Sequence, residues 1–253
     1  MAEIVGYKEK VEDAVESFWH VRKTKGVRSG QTLDKFEGLL KWVVQTNGLP
    51  NAKFVTGSGA TVPGFFRVTK NWDFLVFDGD TLIAAIEMKS IADSPETGSN
   101  NFGKNSNNRA EEATGSGVDI KEAYAEDAFE GLVKLFTGYI ILVEDCPLAN
   151  SSVRVSMKHF RVMTEFMQDP TLRDITYVKK KDGTFPSVDT LSPIRRFDLL
   201  CKRMMQKQLY TAASVVLSQR DTNHYSDVSQ LTSIKSFVAS FAGYIQGVAA
   251  AKS

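Results

Sequence analysis

Apolar residues fall into two kinds of pattern along this chain, one with helical spacing and one in short unbroken runs. Over residues 7–25, Val11, Val15, Phe18 and Trp19 recur at helical spacing and predict a first helix. Leu33, Phe36, Leu40, Val43 and Val44 form the stripe of a second helix over 32–47, with Gly48 as its stop. The Gly-, Ser- and Thr-rich stretch 53–64 reads as a loop. The pattern then changes. Residues 72–77 and 81–88 are short apolar runs separated by Asp78-Gly79-Asp80, a strong hairpin signal. Within the second run, Leu82-Ile83-Ala84-Ala85-Ile86 does not alternate, as expected of a central strand covered on both faces.

Beyond it, residues 90–109 are polar, rich in Asn, Gly and Ser, and without period, which predicts a functional or disordered loop. A helix is expected over 108–129 and a strand over 138–143, ended by Glu144-Asp145. Residues 156–168 carry no clear signal, and 171–190 read as an insert with a turn at Lys181-Asp182-Gly183. Ser192-Pro193 opens a long helix expected over 194–218. A last helix is expected over 228–247, carrying Leu231, Ile234, Phe237, Val238, Phe241 and Ile245 toward either its own core or a partner. The chain shows no internal repeat and reads as one α/β domain over 1–253, with a core at about 32–150 and a helical part at about 190–250.

Composition narrows the classes. With 42% hydrophobic and 24% charged residues, the 253-residue chain has the balance of an ordinary globular protein. No apolar run reaches the length of a membrane span, and the opening residues lack the apolar region of a secretory signal. Cys146 and Cys201 are too few for a disulfide framework, so a reducing, cytoplasmic setting is expected. The net charge of +1 excludes the general basicity of a protein that coats nucleic acid, so any DNA contact must be local. Gly57-Ser58-Gly59 lacks the Lys-Ser/Thr of a phosphate-binding loop, and His20, His159 and His224 are too scattered for a zinc site.

Candidate chemistry centres on Glu87-Met88-Lys89, at the end of the expected buried strand. The E-x-K pattern alone arises by chance about once in a chain of this size. Its context is more specific, because folding the hairpin brings Asp73 back beside Glu87 and Lys89. Two carboxylates can hold Mg2+ while leaving water and phosphate oxygens in its shell. The metal polarises the phosphate and lowers the pKa of an attacking water. A neighbouring lysine can orient that water or stabilise the charge that develops. The alternative is a plain ion pair at a strand end.

Glu37 points away from the stripe of the second helix, either to complete a metal site or to face solvent. Asn105, Asn107, Asn108, Arg109, Glu111 and Glu112 supply the side chains that read base edges, directly after the catalytic strand. Alternatively they form a polar linker and a helix start in which the acids favour the dipole. Arg195, Arg196, Lys202 and Arg203 form a basic cluster suited to phosphates or simply to solvent.

Several segments resemble the XhoI-type type II restriction endonucleases, in family order from about residue 34 to residue 218. They are Asn71-Trp72-Asp73, Ala85-Ile86-Glu87-Met88-Lys89-Ser90, Asn107-Asn108-Arg109-Ala110-Glu111-Glu112-Ala113, Gly138-Tyr139, Leu142-Val143-Glu144-Asp145-Cys146-Pro147, and Arg196-Phe197-Asp198 through Leu209-Tyr210. The resemblance implies the PD-(D/E)XK nuclease fold, a central mixed sheet flanked by helices. It also implies Mg2+-dependent double-strand cleavage at a palindromic six-base site, CTCGAG. In that pattern Asp73, Glu87 and the backbone carbonyl of Met88 hold the metal, Glu37 is the helix carboxylate that can join them, and Lys89 is the catalytic lysine. Double-stranded DNA, a second copy of the chain in a homodimer, and a cognate DNA methyltransferase are the implied partners. Trp72 stands where the wider superfamily has proline, Met157-Lys158-His159-Phe160 lacks the family's proline before histidine, and the insert at 179–189 is unusual. The alternatives are a nuclease of the same fold serving repair, recombination or phage replication, and a DNA-binding module whose charged cluster is only an ion-pair network.

Overall fold

The unbroken apolar runs become the strands of one sheet, and the helical stripes cover its two faces. A computed structural model describes residues 4–26, 29, 32–93, 102–129 and 134–251, the side chains of residues 103 and 104 excepted. In chain order the helices are α1 (Tyr7–Lys25), α2 (Asp34–Thr46), α3 (Phe102–Ala125), α4 (Pro147–Asn150), α5 (Arg173–Thr176), α6 (Pro193–Gln206) and α7 (Ile234–Ala250). The strands are β1 (Lys53–Thr56), β2 (Thr61–Pro63), β3 (Thr69–Asn71), β4 (Phe74–Asp78), β5 (Thr81–Ile91), β6 (Phe136–Glu144), β7 (Val153–Val155), β8 (Val188–Thr190), β9 (Ala212–Ser218) and β10 (Tyr225–Asp227). A six-stranded sheet runs β1-β4-β5-β6-β9-β10. Its centre, β5-β6-β9, is parallel, and its outer pairings are antiparallel.

From Ala84 onward alternation along β5 assigns its residues to two cores, and an irregularity in the β4–β5 register at Ile83 puts Leu82 on the face of Ala85. Ala84, Ile86 and Met88 join Phe18, Leu40 and Phe241 of α1, α2 and α7 on one face. Leu82, Ala85 and Ile91 join Ile120 of α3 and Phe197, Cys201 and Met204 of α6 on the other. The β4–β5 hairpin turns through Gly79-Asp80, with Gly79 at φ 62, a conformation glycine adopts without steric cost.

The structure departs from the sequence expectations in four places. Residues 53–64 are not only loop, since β1 adds an edge strand to β4 and Phe54 stacks on Phe74 with ring centroids 5.6 Å apart. Of the polar loop expected at 90–109, Ser90 and Ile91 extend β5 and residues from Phe102 onward form α3. Buried Phe102 and Ser106 anchor this helix start, and the middle of the expected loop, 94–101, lies outside the described residues. The helix expected to reach 218 ends at Gln206. Gln208 takes φ 56, and the apolar residues that follow form β9 in the middle of the sheet. The last helix begins at Ile234, not 228, where the Ser233 hydroxyl accepts the Ser236 N–H at 3.1 Å. The part expected to be helical therefore also contributes β9 and β10. Ile234, Phe237, Val238, Phe241 and Ile245 are buried in the chain's own core, and only Leu231 of that apolar set is exposed. Cys146 and Cys201 are both free, and among the described residues no helix is long and apolar enough to cross a membrane.

Candidate active site

The site forms where β4 parts from β5. Their pairing stops at Phe74↔Ile86, whereas β5 continues to Ile91 against β6. Asp73, the residue just before β4, takes over the vacated edge. Its Oδ2 accepts the Met88 N–H at 2.7 Å and the Lys89 ammonium at 3.1 Å. An extended residue sends its N–H and C=O to the same side, so the Met88 carbonyl faces this gap as well. Glu87 and Lys89, two residues apart, share the face under α3, and the Lys89 Nζ lies 3.0 Å from Glu87 Oε1. Of the three residues expected to act together, Lys89 thus contacts both acids.

Glu87 is only 1% exposed, and a buried carboxylate needs partners. Besides Lys89 it has Lys70, whose Nζ is 3.4 Å from Oε1, and Tyr210, whose hydroxyl donates to Oε2 at 3.3 Å. The same hydroxyl lies 3.0 Å from the Ala113 carbonyl of α3, so its single proton is shared between the acid and that helix. Gly117 permits this approach, because a Cβ there would come within 2.8 Å of the Tyr210 ring. Burial, and then the Glu87 charge, push the Tyr210 phenol well above its ordinary pKa and keep it a donor. Burial alone would lower the Lys89 ammonium, but Glu87 and Asp73 outweigh it and hold its pKa above the usual lysine value. Neither Lys70 nor Tyr210 stood out by pattern. Lys70 sits in a short polar run, and Tyr210 was visible only in the family resemblance.

A cleft of about 560 Å3 opens over this cluster. Glu87 and Lys89 form its floor, Arg67, Thr69, Lys70 and Asn71 one wall, and Arg109, Glu111, Glu112, Gly115 and Ser116 of α3 the other. Of the expected DNA-reading residues, Arg109, Glu111 and Glu112 therefore line the same cleft as Glu87 and Lys89, and Arg109 is ion-paired to Glu112. Asn105, Asn107 and Asn108 are exposed on α3 but do not line the cleft. Glu37 stands near Asp73 without joining the contacts around Lys89. It pairs with Lys41 at 3.4 Å, and its pKa is raised by burial, with Asp34 and Asp73 adding to the effect and Lys41 opposing it. In the basic cluster of α6, Arg196 bonds Leu191 and Thr190, and Lys202 pairs with Asp198, so both are engaged within the fold.

Among the described residues, no group of three or more His, Cys, Asp or Glu side chains is gathered to cage a metal. The donor set nevertheless suits Mg2+, which is usually held by one or two carboxylates and keeps the rest of its shell for water and phosphate. Asp73 Oδ2 and Glu87 Oε1 already converge on one cation, the Lys89 ammonium, at 3.1 and 3.0 Å.

A mixed sheet between helices, with an acidic pair and a lysine where a hairpin strand leaves it, is the architecture of the restriction-endonuclease-like nucleases. The profile of the restriction endonuclease XhoI family matches residues 20–182 and 172–230. The chain is 36% identical over 184 residues to the type II restriction enzyme XhoI of Xanthomonas vasicola, covering 72% of this chain and 63% of that protein. It is 32% identical over 199 residues to the type II restriction enzyme BstVI of Geobacillus stearothermophilus, covering 77% and 76%. With the type II restriction enzyme AbrI of Azospirillum brasilense it shares 34% over 190 residues, covering 69% and 83%. No solved structure matches significantly. The chain belongs to the XhoI restriction endonuclease family.

Proposed function

We propose that this protein is a type II restriction endonuclease that makes Mg2+-dependent double-strand cuts at a palindromic six-base site, CTCGAG. The convergence of Asp73 and Glu87 on Lys89, with Glu87 and Lys89 lining a cleft and Asp73 beside it, in a chain of this family, carries the reading. Asp73, Glu87 and the Met88 carbonyl would hold the metal, and Glu37, which feels the Asp73 charge, is the helix carboxylate that could join them. When bound, Mg2+ polarises the scissile phosphate and lowers the pKa of the attacking water.

The chain's own groups do the rest. Tyr210 and Lys70 fix the buried Glu87 carboxylate, so it does not reorient during the reaction. Lys89 would donate to the phosphate, where negative charge develops. Arg67 and Lys70 offset the repulsion between the acids and the DNA backbone. Arg109 matches the O6 and N7 edge of guanine, and Glu111 and Glu112 match the amino group of cytosine. Asn105, Asn107 and Asn108 would contact DNA outside the cleft. A palindromic target calls for a two-fold protein, so the working unit is a homodimer, and a methyltransferase of the same specificity protects the host's own sites.

Digestion of DNA of known sequence with Mg2+, followed by end mapping, tests the proposal. Discrete ends at one six-base palindrome are expected. Absence of Mg2+-dependent cutting would overturn it.

A further inference from the structure

The hairpin that forms one wall of the cleft ends in an exposed apolar tip. Between β2 and β3, Phe65 is 48% exposed, Phe66 70% and Val68 91%. The two phenylalanine rings lie edge to face, with centroids 4.8 Å apart. Large apolar side chains gathered at one surface point usually mark an interaction site.

This tip is held firmly. Asp119 of α3, itself 1% exposed, accepts the backbone N–H groups of Phe65 at 3.0 Å and Phe66 at 2.7 Å. Its other oxygen lies 3.1 Å from Arg67 Nε. At Gly64 a Cβ would stand 2.5 Å from the Arg67 carbonyl and 2.7 Å from Asp119, so the loop closes this tightly only with glycine. A buried carboxylate and a glycine thus fix two phenylalanines outward, although nothing among the described residues covers them.

The neighbours of the tip indicate its partner. Arg67, within the tip, and Lys70, just behind it, line the cleft above Glu87 and Lys89. A ligand reaching the tip from the cleft must offer anionic groups beside flat apolar faces. Duplex DNA offers both, with phosphates along its edge and stacked bases within. We propose that Phe65 and Phe66 form an aromatic wedge that enters or stacks on the base pairs next to the scissile phosphate and partly unstacks one step. This assignment rests on the DNA-cleaving reading and adds to it a means of deforming the duplex.

The test uses the full chain, with Phe65→Ala, Phe66→Ala and the double variant. The probe is a duplex carrying the site that end mapping returns, CTCGAG by the reading above, with 2-aminopurine at successive positions in and around it. Ca2+ replaces Mg2+ so that the complex stays uncut. The wild type should raise the fluorescence at one step in each half of the palindrome. The double variant should abolish that rise and bind about tenfold or more weakly, while melting within a few degrees of the wild type. No rise at any position with the wild type, together with equal affinity of the double variant, overturns the wedge. So does a double variant that keeps the rise but loses a dimer formed by the wild type, which would assign the tip to a second copy. A wild type that cuts this duplex with Mg2+ while the double variant unstacks it equally well sinks the wedge alone. A wild type that unstacks DNA but never cuts sinks the endonuclease reading alone.

Discussion

Replacing Tyr210 by phenylalanine removes one oxygen from a site that otherwise keeps its shape. That oxygen lies 3.3 Å from Glu87 Oε2 and 3.0 Å from the Ala113 carbonyl, on a residue that is 1% exposed. A hydrogen bond to a charged group contributes about 1.5–3 kcal/mol, and a length of 3.3 Å places this one at the low end. A stability loss of about 1.5 kcal/mol follows, or about 3–6 °C in melting temperature for a chain of this size. The larger effect falls on the metal, because loss of a group that orients a ligand typically lowers affinity about 10- to 100-fold. The assay is cleavage rate against Mg2+ concentration. The half-saturating Mg2+ should rise about tenfold while the rate at saturation falls much less. Gly117→Ala should act in the same direction by displacing the ring, since its new Cβ would stand 2.8 Å from it. A Tyr210→Phe protein with unchanged Mg2+ dependence and unchanged melting temperature would refute the idea that Tyr210 positions Glu87.

Further outcomes follow from the same structure. Asp73→Ala, Glu87→Ala and Lys89→Ala should each nearly abolish cleavage in a folded protein, and their effects should be non-additive because the three groups act as a unit; a steady rate in any one, with circular dichroism unchanged, counts against the site. Arg109→Ala should weaken cognate DNA by about 1–3 kcal/mol and random DNA less, and titration of both sequences shows whether the loss is selective. Asp198 accepts hydrogen bonds from Thr232 at 2.6 Å and Ser229 at 2.7 Å and pairs with Lys202 at 2.6 Å. Burial alone would raise its pKa, but these bonds outweigh burial and hold it below the usual aspartate value. Its contribution to stability is therefore present above the unfolded value of about 3.9 and is lost as pH falls through the lower folded value. Melting temperatures recorded from about pH 7 down to about pH 3 should fall less steeply at the acid end in Asp198→Asn than in the wild type.

Much of the sheet was legible because its central strands announce themselves locally. The run 82–86, apolar on both faces, and the Gly79 turn place the hairpin and therefore Asp73, Glu87 and Lys89. The sequence of β9 continues the helical pattern because nothing like Gly or Pro breaks the apolar pattern after α6. The break is made by Gln208 at positive φ, a conformation more often taken by glycine or asparagine. The start of α3 was hidden by its Asn- and Ser-rich composition, and the helix is set there by tertiary burial of Phe102 and Ser106. The charged triad was legible, but its supports were not. Tyr210 reaches Glu87 from 123 positions away, and Lys70 arrives from a strand too short to show a period. The apolar tip at Phe65 and Phe66 is fixed by Asp119, 53 positions from Phe66, a pairing that no local pattern encodes.

Beyond Ile86 one side of β5 has no neighbouring strand among the described residues, and open strand edges invite pairing with other chains. Asp73 closes that side by accepting the Met88 N–H. On the reading proposed above, one carboxylate would therefore serve the strand edge as well as the chemistry. A descendant that gave up cutting would still be held to an acceptor at position 73. Inactive relatives should carry Asn or Ser there more readily than Ala, so Asp73→Asn separates the loss of catalysis from the exposure of the edge.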